Sequence, residues 1–271
     1  MKLAAVYNSW DDWEILEHSI KNIRPLVDLV IVVYSKTSNY GEVSTGPDGS
    51  AHQFDITNIP VFFFRCEPIL TLRPEENERM KRNEGLRYAK ELQATHFLMM
   101  DSDEVYEPEP FLKEKERFLN SDLQGLVCAS QVYFKSPRLT IGLDTTRVTF
   151  IHKITPNLRF EWNKKFPFAF DKMAIRIDPT RMLNINSGVE WSDIIMHHYS
   201  WVRSDFEKKI RNSTARANIE RSTIRQDLAL AKEGYFCEFY QKTLIRASVD
   251  FNIPDVQDFQ KPLAASSPGL S

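Results

Sequence analysis

Thr95-His96-Phe97-Leu98-Met99-Met100-Asp101-Ser102-Asp103-Glu104 is the stretch on which the reading of this chain turns. An apolar run leads without a break into two carboxylates one residue apart. Apolar residues at consecutive positions, rather than alternate ones, predict a strand buried on both faces, as in a parallel sheet. The acids then fall at its C-terminal end, where open α/β sheets bind ligands. Asp101 and Asp103 offer hard oxygen atoms suited to Mg²⁺ or Mn²⁺. The plainer alternative is a charged turn closing a hydrophobic strand. The rest of the chain has to choose between them.

Working outward, the residues before this stretch alternate strand and helix. Leu3 to Tyr7 is a short apolar strand, and Ser9-x-x-Asp12 reads as a capping box opening a helix. Trp13, Leu16, Ile20 and Ile23 recur at helical spacing, and Pro25 ends that helix. Leu29 to Tyr34 is a second strand rich in β-branched residues, which completes a βαβ unit. Ser35 to Gln53 is polar, carries three glycines and reads as a loop. Val61 to Arg65 is a third strand. Pro74 suits the first helical position, and the helix it opens runs to about Leu92 with Gly85 as a weak point.

Beyond Asp103 the pattern changes. Leu126–Ala129, Val132–Phe134, Val148–Ile151 and Ile194–Tyr199 read as strands. Phe160 to Phe170 is an aromatic and basic run, read first as a hydrophobic lid or core segment. Ser204-x-x-Glu207 opens an interrupted helical tract reaching about Ala247. The expected organisation is a catalytic domain at 1–203, with a nucleotide-sugar-binding half at 1–104 and an acceptor half at 105–203. A helical extension at 204–260 and a flexible Ser/Ala/Pro/Gly tail at 261–271 follow.

Composition sets the outer limits. The 271 residues are 42% hydrophobic and 27% charged, with a net charge of −2. That is ordinary for a globular chain with a sizeable core, and exerts no global pull toward nucleic acid. Cys66, Cys128 and Cys237 are odd in number and far apart, which suits a reducing compartment and argues against a zinc cluster. No run approaches a membrane span, and the N-terminus reads as a strand rather than a signal peptide. The default expectation is a cytoplasmic enzyme.

Three pieces now stand in order: Arg82-Asn83-Glu84-Gly85, Asp101-Ser102-Asp103-Glu104 and His198-Tyr199-Ser200-Trp201-Val202-Arg203. Together, over roughly residues 1–210, they resemble the GT-A glycosyltransferases related to family 2. That resemblance implies an α/β fold of the GT-A (Rossmann-like) kind, a mixed sheet flanked by helices. It implies transfer of a sugar from a nucleotide-diphosphate sugar, UDP-linked, with inversion and with Mn²⁺ or Mg²⁺ as cofactor. Asp103 would bind the metal, Asp101 the metal or the ribose, and His198 would complete the site. Strand alternation sends His197 and His198 to opposite faces, so one of them at most faces the metal. Tyr7, Asn8 and Ser35 stand where the family holds the nucleobase, although Tyr7 could equally pack under the first helix. The aspartate that many relatives carry after the second strand is absent here, where Ser35-Lys36 stands. Arg79, Arg82, Asn83 and Ser102 are further candidate donor-binding residues, with Lys81 beside them.

An inverting transfer also needs a carboxylate base. Asp193 and Glu190 precede the histidine strand and are the first candidates, with Asp171 another. The acceptor is open among a saccharide, a protein and a nucleic acid, including a modified base. Two other classes compete. A nucleotidyltransferase of the sugar-phosphate pyrophosphorylase type needs a glycine-rich loop after the first strand, and Asn8-Ser9-Trp10-Asp11 is not one. A non-catalytic nucleotide-sugar-binding protein would keep the fold without turnover.

Overall fold

The computed structural model describes residues 1–44, 59–169 and 176–255. Residues 45–58, which include the 45–53 part of the expected loop, Phe170, Asp171 and the expected 261–271 tail lie outside the described residues.

The first half is a four-stranded parallel array. β1 (Leu3–Ser9) lies between β2 (Leu29–Tyr34) and β4 (His96–Asp101), with β3 (Val61–Arg65) outside β2. The unbroken apolar runs follow from burial on both faces. Leu3, Ala5, Tyr7, Val30, Val32, Leu98 and Met100 pack on one side with Leu16, Ile20 and Ile23 of α1 (Trp13–Ile23). Ala4, Val6, Ile31, Val33, Phe97 and Met99 pack on the other with Leu86 and Ala89 of α2 (Pro74–Glu91). Successive side chains alternate in direction, so both faces of every strand need apolar cover.

The second half turns the sheet mixed. β5 (Glu104–Tyr106), β6 (Gly125–Phe134), β7 (Ser136–Lys153) and β9 (Val189–Trp201) extend it in the order β3-β2-β1-β4-β7-β6-β9-β5. β7 runs antiparallel to β4 and to β6, while β9 is parallel to β6 and antiparallel to β5. The short β8 (Arg176–Ile177) adds to β7. The expected α/β class, a mixed sheet flanked by helices, is therefore what forms. Between β1 and β4 lies the point where the chain, having stepped outward through β2 and β3, crosses back and continues the sheet the other way. Crevices at such points are the usual ligand sites of open α/β sheets.

Local readings needed correction in several places. The capping box expected at Ser9-x-x-Asp12 does not form, and the start expected at Ser204 shifts by one residue. Ser9 stays on β1 and donates to Asp12 Oδ1 at 2.6 Å, and Asp12 itself is the N-cap residue of α1. Asp205, not Ser204, caps α4 (Phe206–Asn212), accepting from the Lys208 N–H at 2.8 Å. α3 (Pro108–Leu119) was not expected, although Pro108 at its first position and Phe111 and Phe118 on one buried face are helix signals. The two runs around Leu126 and Val132 are one strand. Among the described residues, helix in the C-terminal region is confined to α4, α5 (Arg216–Ile219) and α6 (Ile224–Leu230). The tract expected to reach Ala247 instead turns through Gly234, at φ +82°, into a small hairpin of β10 (Phe236–Cys237) and β11 (Lys242–Thr243). β12 (Ile245–Arg246) then joins β7. This region shares one apolar cluster with Val132, Phe134, Ile141 and Trp201, which ties it to the sheet.

The aromatic run is mostly core. Phe160, Phe166 and Ala169 are buried against α2 and β4, while Trp162 is exposed. Among the described residues, no helix is long and apolar enough to cross a membrane.

Candidate active site

A cleft of about 840 Å³ opens at the C-terminal ends of β1 and β4. Its floor is Asn8, Ser35 and Lys81, and one wall is Asp101, Asp103, His198 and Arg203. The opposite rim and roof come from Trp10–Glu14 and from the α4 region, including Lys208 and Lys209.

Asp101 ends β4, and its carboxylate is gripped from below. Arg181 reaches Oδ2 at 2.7 Å and Arg82 reaches Oδ1 at 3.1 Å. Burial alone would raise the Asp101 pKa, but Arg181 and Arg82 outweigh it and hold the carboxyl well below the usual range. Arg181 also binds both oxygens of the fully buried Glu104. Glu104 in turn accepts from the Asp101 N–H at 3.0 Å, so the turn after β4 is fixed through backbone and side chain together.

Asp103 is 2% exposed. Its Oδ1 lies 3.4 Å from His198 Nε2, while its Oδ2 meets the Arg203 guanidinium and lies 3.5 Å from Lys209 Nζ. β5 and β9 create this meeting, since Glu104 and His198 are direct cross-strand partners. Burial disfavours the His198 cation, yet Asp103 more than compensates and raises its pKa. His197 points the other way, as alternation requires. Tyr133 Oη lies 2.9 Å from its Nδ1, Phe251 packs on its ring, and burial depresses its pKa to about 4.

Lys81 in the floor and Asp12 at the rim are buried polar groups that drew little notice in the sequence. Lys81 Nζ donates to the Ser9 carbonyl and, at 3.0 Å, to Ser35 Oγ. Burial lowers its pKa to about 8 and raises that of Asp12 to about 7.

Other expected site residues are placed as follows. Tyr7 is sealed in the core under α1, its hydroxyl 2.9 Å from Ser19 Oγ, and does not reach the cleft. Arg82 has no exposed side-chain surface; it joins Glu78 at 2.7 Å and Asp101, supporting the acid from beneath. Asn83 spends both ends of its amide on the Phe160 backbone, at 2.9 and 2.7 Å. Ser102 is fully buried, with a hydroxyl that has no hydrogen-bond partner. Arg79 does not line the cleft. Neither do Glu190 and Asp193, which stand at exposed positions near the far end of β9, with Glu190 paired to Arg117 at 3.3 Å. Several carboxylates outside the expected set do line it: Asp11, Asp12, Glu14, Glu78 and Asp205, together with Asp144 on β7 and Asp178, which caps the turn holding Arg181. Arg181 itself carried no signal in the sequence, because nothing periodic surrounds Asp178-Pro179-Thr180-Arg181.

The donor set for the implied metal can be tested against these positions. Among the described residues no three His, Cys, Asp or Glu side chains gather as a ready-made metal cluster. Asp101 is turned to its two arginines. Asp103 Oδ1 and His198 Nε2 remain, a carboxylate oxygen and an imidazole nitrogen side by side. Mg²⁺ and Mn²⁺ are commonly held through one or two carboxylates with substrate phosphates completing the shell, and Asp103 fits that role, with His198 Nε2 as a nitrogen donor beside it.

No protein-family model matches the chain, and no curated protein matches it in sequence. Among solved structures, S. aureus TarS 1–349 aligns over 84% of this chain and 71% of its own, at 15% identity and a TM-score of 0.42. The same protein in complex with UDP-GlcNAc aligns over 49% of this chain and 35% of its own, at 16% identity and a TM-score of 0.34. Glucosyl-3-phosphoglycerate synthase from Mycobacterium tuberculosis, in complex with Mn²⁺, UDP and phosphoglyceric acid, aligns over 48% of this chain and 43% of its own, at 17% identity and a TM-score of 0.30. In the last two alignments this chain spans less than half of the partner's length.

Proposed function

We propose that this chain is a metal-dependent GT-A glycosyltransferase that moves a sugar from a nucleotide-diphosphate sugar, UDP-linked, to a hydroxyl acceptor with inversion. The observation that carries the reading is the cleft at the β1/β4 crossover. There, Asp103 and His198, with Arg203 and Lys209 beside them, border a space open to ligand together with Lys81 below and Lys208 above. An anion of several charges and a divalent cation are the pair of ligands such a mixture of groups suits.

Each group has a part in that chemistry. Asp103 Oδ1 and His198 Nε2 would hold Mn²⁺ or Mg²⁺, which when bound supplies Lewis-acid stabilisation of the leaving diphosphate. Arg203 and Lys209 stand beside Asp103, within reach of phosphate oxygens, and a guanidinium matches these with paired bonds. Asp101, immobilised by Arg82 and Arg181, presents its carboxylate to the cleft for the ribose hydroxyls. Asn8 and Ser35 line the floor beside it. In the transfer, the acceptor oxygen bonds to the anomeric carbon as the bond to the diphosphate breaks, and the electron pair leaves with the phosphate. The acceptor proton passes to a carboxylate. Asp144 and Asp178 are better placed for that role than Glu190 or Asp193, because they line the cleft.

A thermal-shift screen of nucleotide-diphosphate sugars with and without Mn²⁺ tests the reading. A ligand at 100 times its Kd stabilises by about 2.7 kcal/mol. For a chain of this size that is a Tm rise of roughly 5–10 °C. Product analysis by mass spectrometry then distinguishes sugar transfer from nucleotidyl transfer. No shift with any nucleotide sugar would sink the proposal.

A further inference from the structure

Arg203 and Lys209 meet Asp103, Lys208 meets Asp11, and Lys81 is bonded to Ser9 and Ser35. The lysines and arginine of the cleft lining are therefore grouped around Asp103 and the end of β1. Around Asp144 the lining differs, with Asp178 and the rings of Trp201, Phe239 and Tyr240. A smaller hollow of about 150 Å³ shares Asp101, Asp144, Asp178, His198 and Tyr240 with the cleft, which sets this part beside the proposed metal ligands. Arg181 also lines that hollow, but Asp101 and Glu104 hold it. The aromatic wall is braced from behind. Buried Asp227 accepts from the Phe239 N–H and the Tyr235 hydroxyl, both at 2.9 Å, and so fixes the turn that carries Phe239 and Tyr240. Trp201 Nε1 donates to Tyr240 Oη at 2.8 Å, which leaves the Tyr240 proton free to be donated in turn. Burial, and the charge of Asp144 with it, push the Tyr240 phenol up, so it stays protonated. Asp144 Oδ1 accepts from the Thr145 N–H at 2.7 Å, and among the described residues its carboxylate has no ion pair. Asp178 is more committed: it accepts from the N–H and hydroxyl of Thr180, both at 2.8 Å, and lies 3.6 Å from Arg181 Nε.

We infer that the acceptor is an uncharged saccharide, its ring against Phe239 and its reacting hydroxyl between Asp144 and the Tyr240 hydroxyl. The inference rests on the function proposed above and names the class of its second substrate. A sugar hydroxyl donates one hydrogen bond and accepts others, and a free carboxylate oxygen beside a phenol O–H meets both needs. In the transfer the hydroxyl proton passes to Asp144, its oxygen bonds to the anomeric carbon, and the diphosphate leaves with the electron pair. Aromatic rings take a nucleobase as well as the C–H face of a sugar, so charge decides between them. A nucleic acid brings a phosphate for every residue, and sites built for it meet those phosphates with lysine and arginine. Here its backbone would lie against Asp144 and Asp178 instead.

The test uses the full chain, with a nucleotide sugar that stabilises it in the thermal-shift screen as donor. Neutral disaccharides of glucose, galactose, mannose and N-acetylglucosamine are offered as acceptors beside single-stranded DNA, RNA and a basic serine-rich peptide. Saturation-transfer NMR reads binding and mass spectrometry reads transfer. Sugar should appear on at least one disaccharide and on neither nucleic acid nor peptide. Asp144→Asn should lower kcat by about 100-fold, the usual worth of a general base, with donor affinity unchanged. Tyr240→Phe should raise the acceptor KM about tenfold, the worth of one hydrogen bond, and leave the donor KM where it was. Unchanged donor binding shows that both variants fold. Transfer to DNA, RNA or peptide would overturn the inference while leaving the functional reading standing. So would a chain that binds the donor but none of the disaccharides, or an Asp144→Asn or Tyr240→Phe chain with the parent's kinetics. If no nucleotide sugar binds, the functional reading fails and the inference with it.

Discussion

At the scale of single residues, the acids of the cleft differ by what lies beneath them. Asp103 is buried against Arg203 and Lys209, with His198 Nε2 beside it, so replacing it by alanine leaves Arg203 without this matching charge. Asp103→Asn is the cleaner test: it keeps the shape and removes the charge. We expect it to abolish stabilisation by Mn²⁺ with nucleotide and to lower turnover at least 100-fold, measured by calorimetry and initial rates. Arg181 balances Asp101 and Glu104 in a dry site. Arg181→Met should destabilise by about 3–5 kcal/mol, because breaking a buried pair strands a charge. Urea denaturation measures it, and the deficit should narrow as acid protonates the stranded carboxyls. Asp12 supplies a pH signature. Burial raises its pKa to about 7, above the ordinary carboxylate value, so the folded chain binds the extra proton between roughly pH 4 and pH 7. Its contribution to stability is therefore present at low pH and lost as pH rises through 7. Asp12→Asn lacks the titration, and should gain stability relative to the parent across that interval in parallel denaturation curves.

At the scale of elements, the contact of α2 with the sheet decides how Gly85 is understood. In the sequence it looked like a propensity cost of up to about 1 kcal/mol in a helix. In the fold it is where α2 meets β1 and β2. An added Cβ would stand 2.4 Å from Val6 Cγ1 and 3.2 Å from Val33 Cγ2. Gly85→Ala should therefore destabilise by about 1–3 kcal/mol through overpacking, against the helix-propensity trend. A more stable Gly85→Ala chain would contradict this packing. β9 shows the same dependence on neighbours. Its alternation sends His197 to an aromatic cluster and His198 to the cleft, and only pairing with β5 brings His198 to Asp103.

At the scale of the whole molecule, the cleft is closed by links between distant parts of the chain. Glu42, before the undescribed 45–58 stretch, accepts from Arg211 at 3.1 Å and from Asn212 at 2.7 Å at the end of α4. Lys208 pairs with Asp11, and Ser204 Oγ donates to Glu14 at 2.7 Å. α4 has a single buried apolar anchor, Ile210, so these polar links do much to hold it over the cleft. Glu42→Gln should cost under about 1 kcal/mol of stability, as exposed ion pairs do. It should nevertheless speed nucleotide release several-fold in stopped-flow experiments. An unchanged release rate would mean that α4 does not depend on Glu42.

Local pattern was enough for the parallel half. Unbroken apolar runs require a sheet covered on both faces, and proline and glycine punctuation with helical periodicity places α1 and α2 between strands. Those signals act over a few residues and survive without knowledge of the rest. The Asp-x-Asp turn at the end of β4 belongs to the same class, as does the opposite orientation of His197 and His198. The remainder depended on long-range contacts. Arg181 reaches Asp101 across 80 positions and Arg203 reaches Asp103 across 100, with no periodic or compositional trace of either. Tyr7 and Arg82, which looked like donor contacts, became interior because α1 closes over Tyr7 and α2 turns its own Arg82 inward against Asp101. Glu190 and Asp193 precede the histidine strand in order, yet a strand carries its first residues far from its last. The acids were legible from their place at a strand end; the charges that surround them exist only where the folded chain brings distant residues into one dry corner.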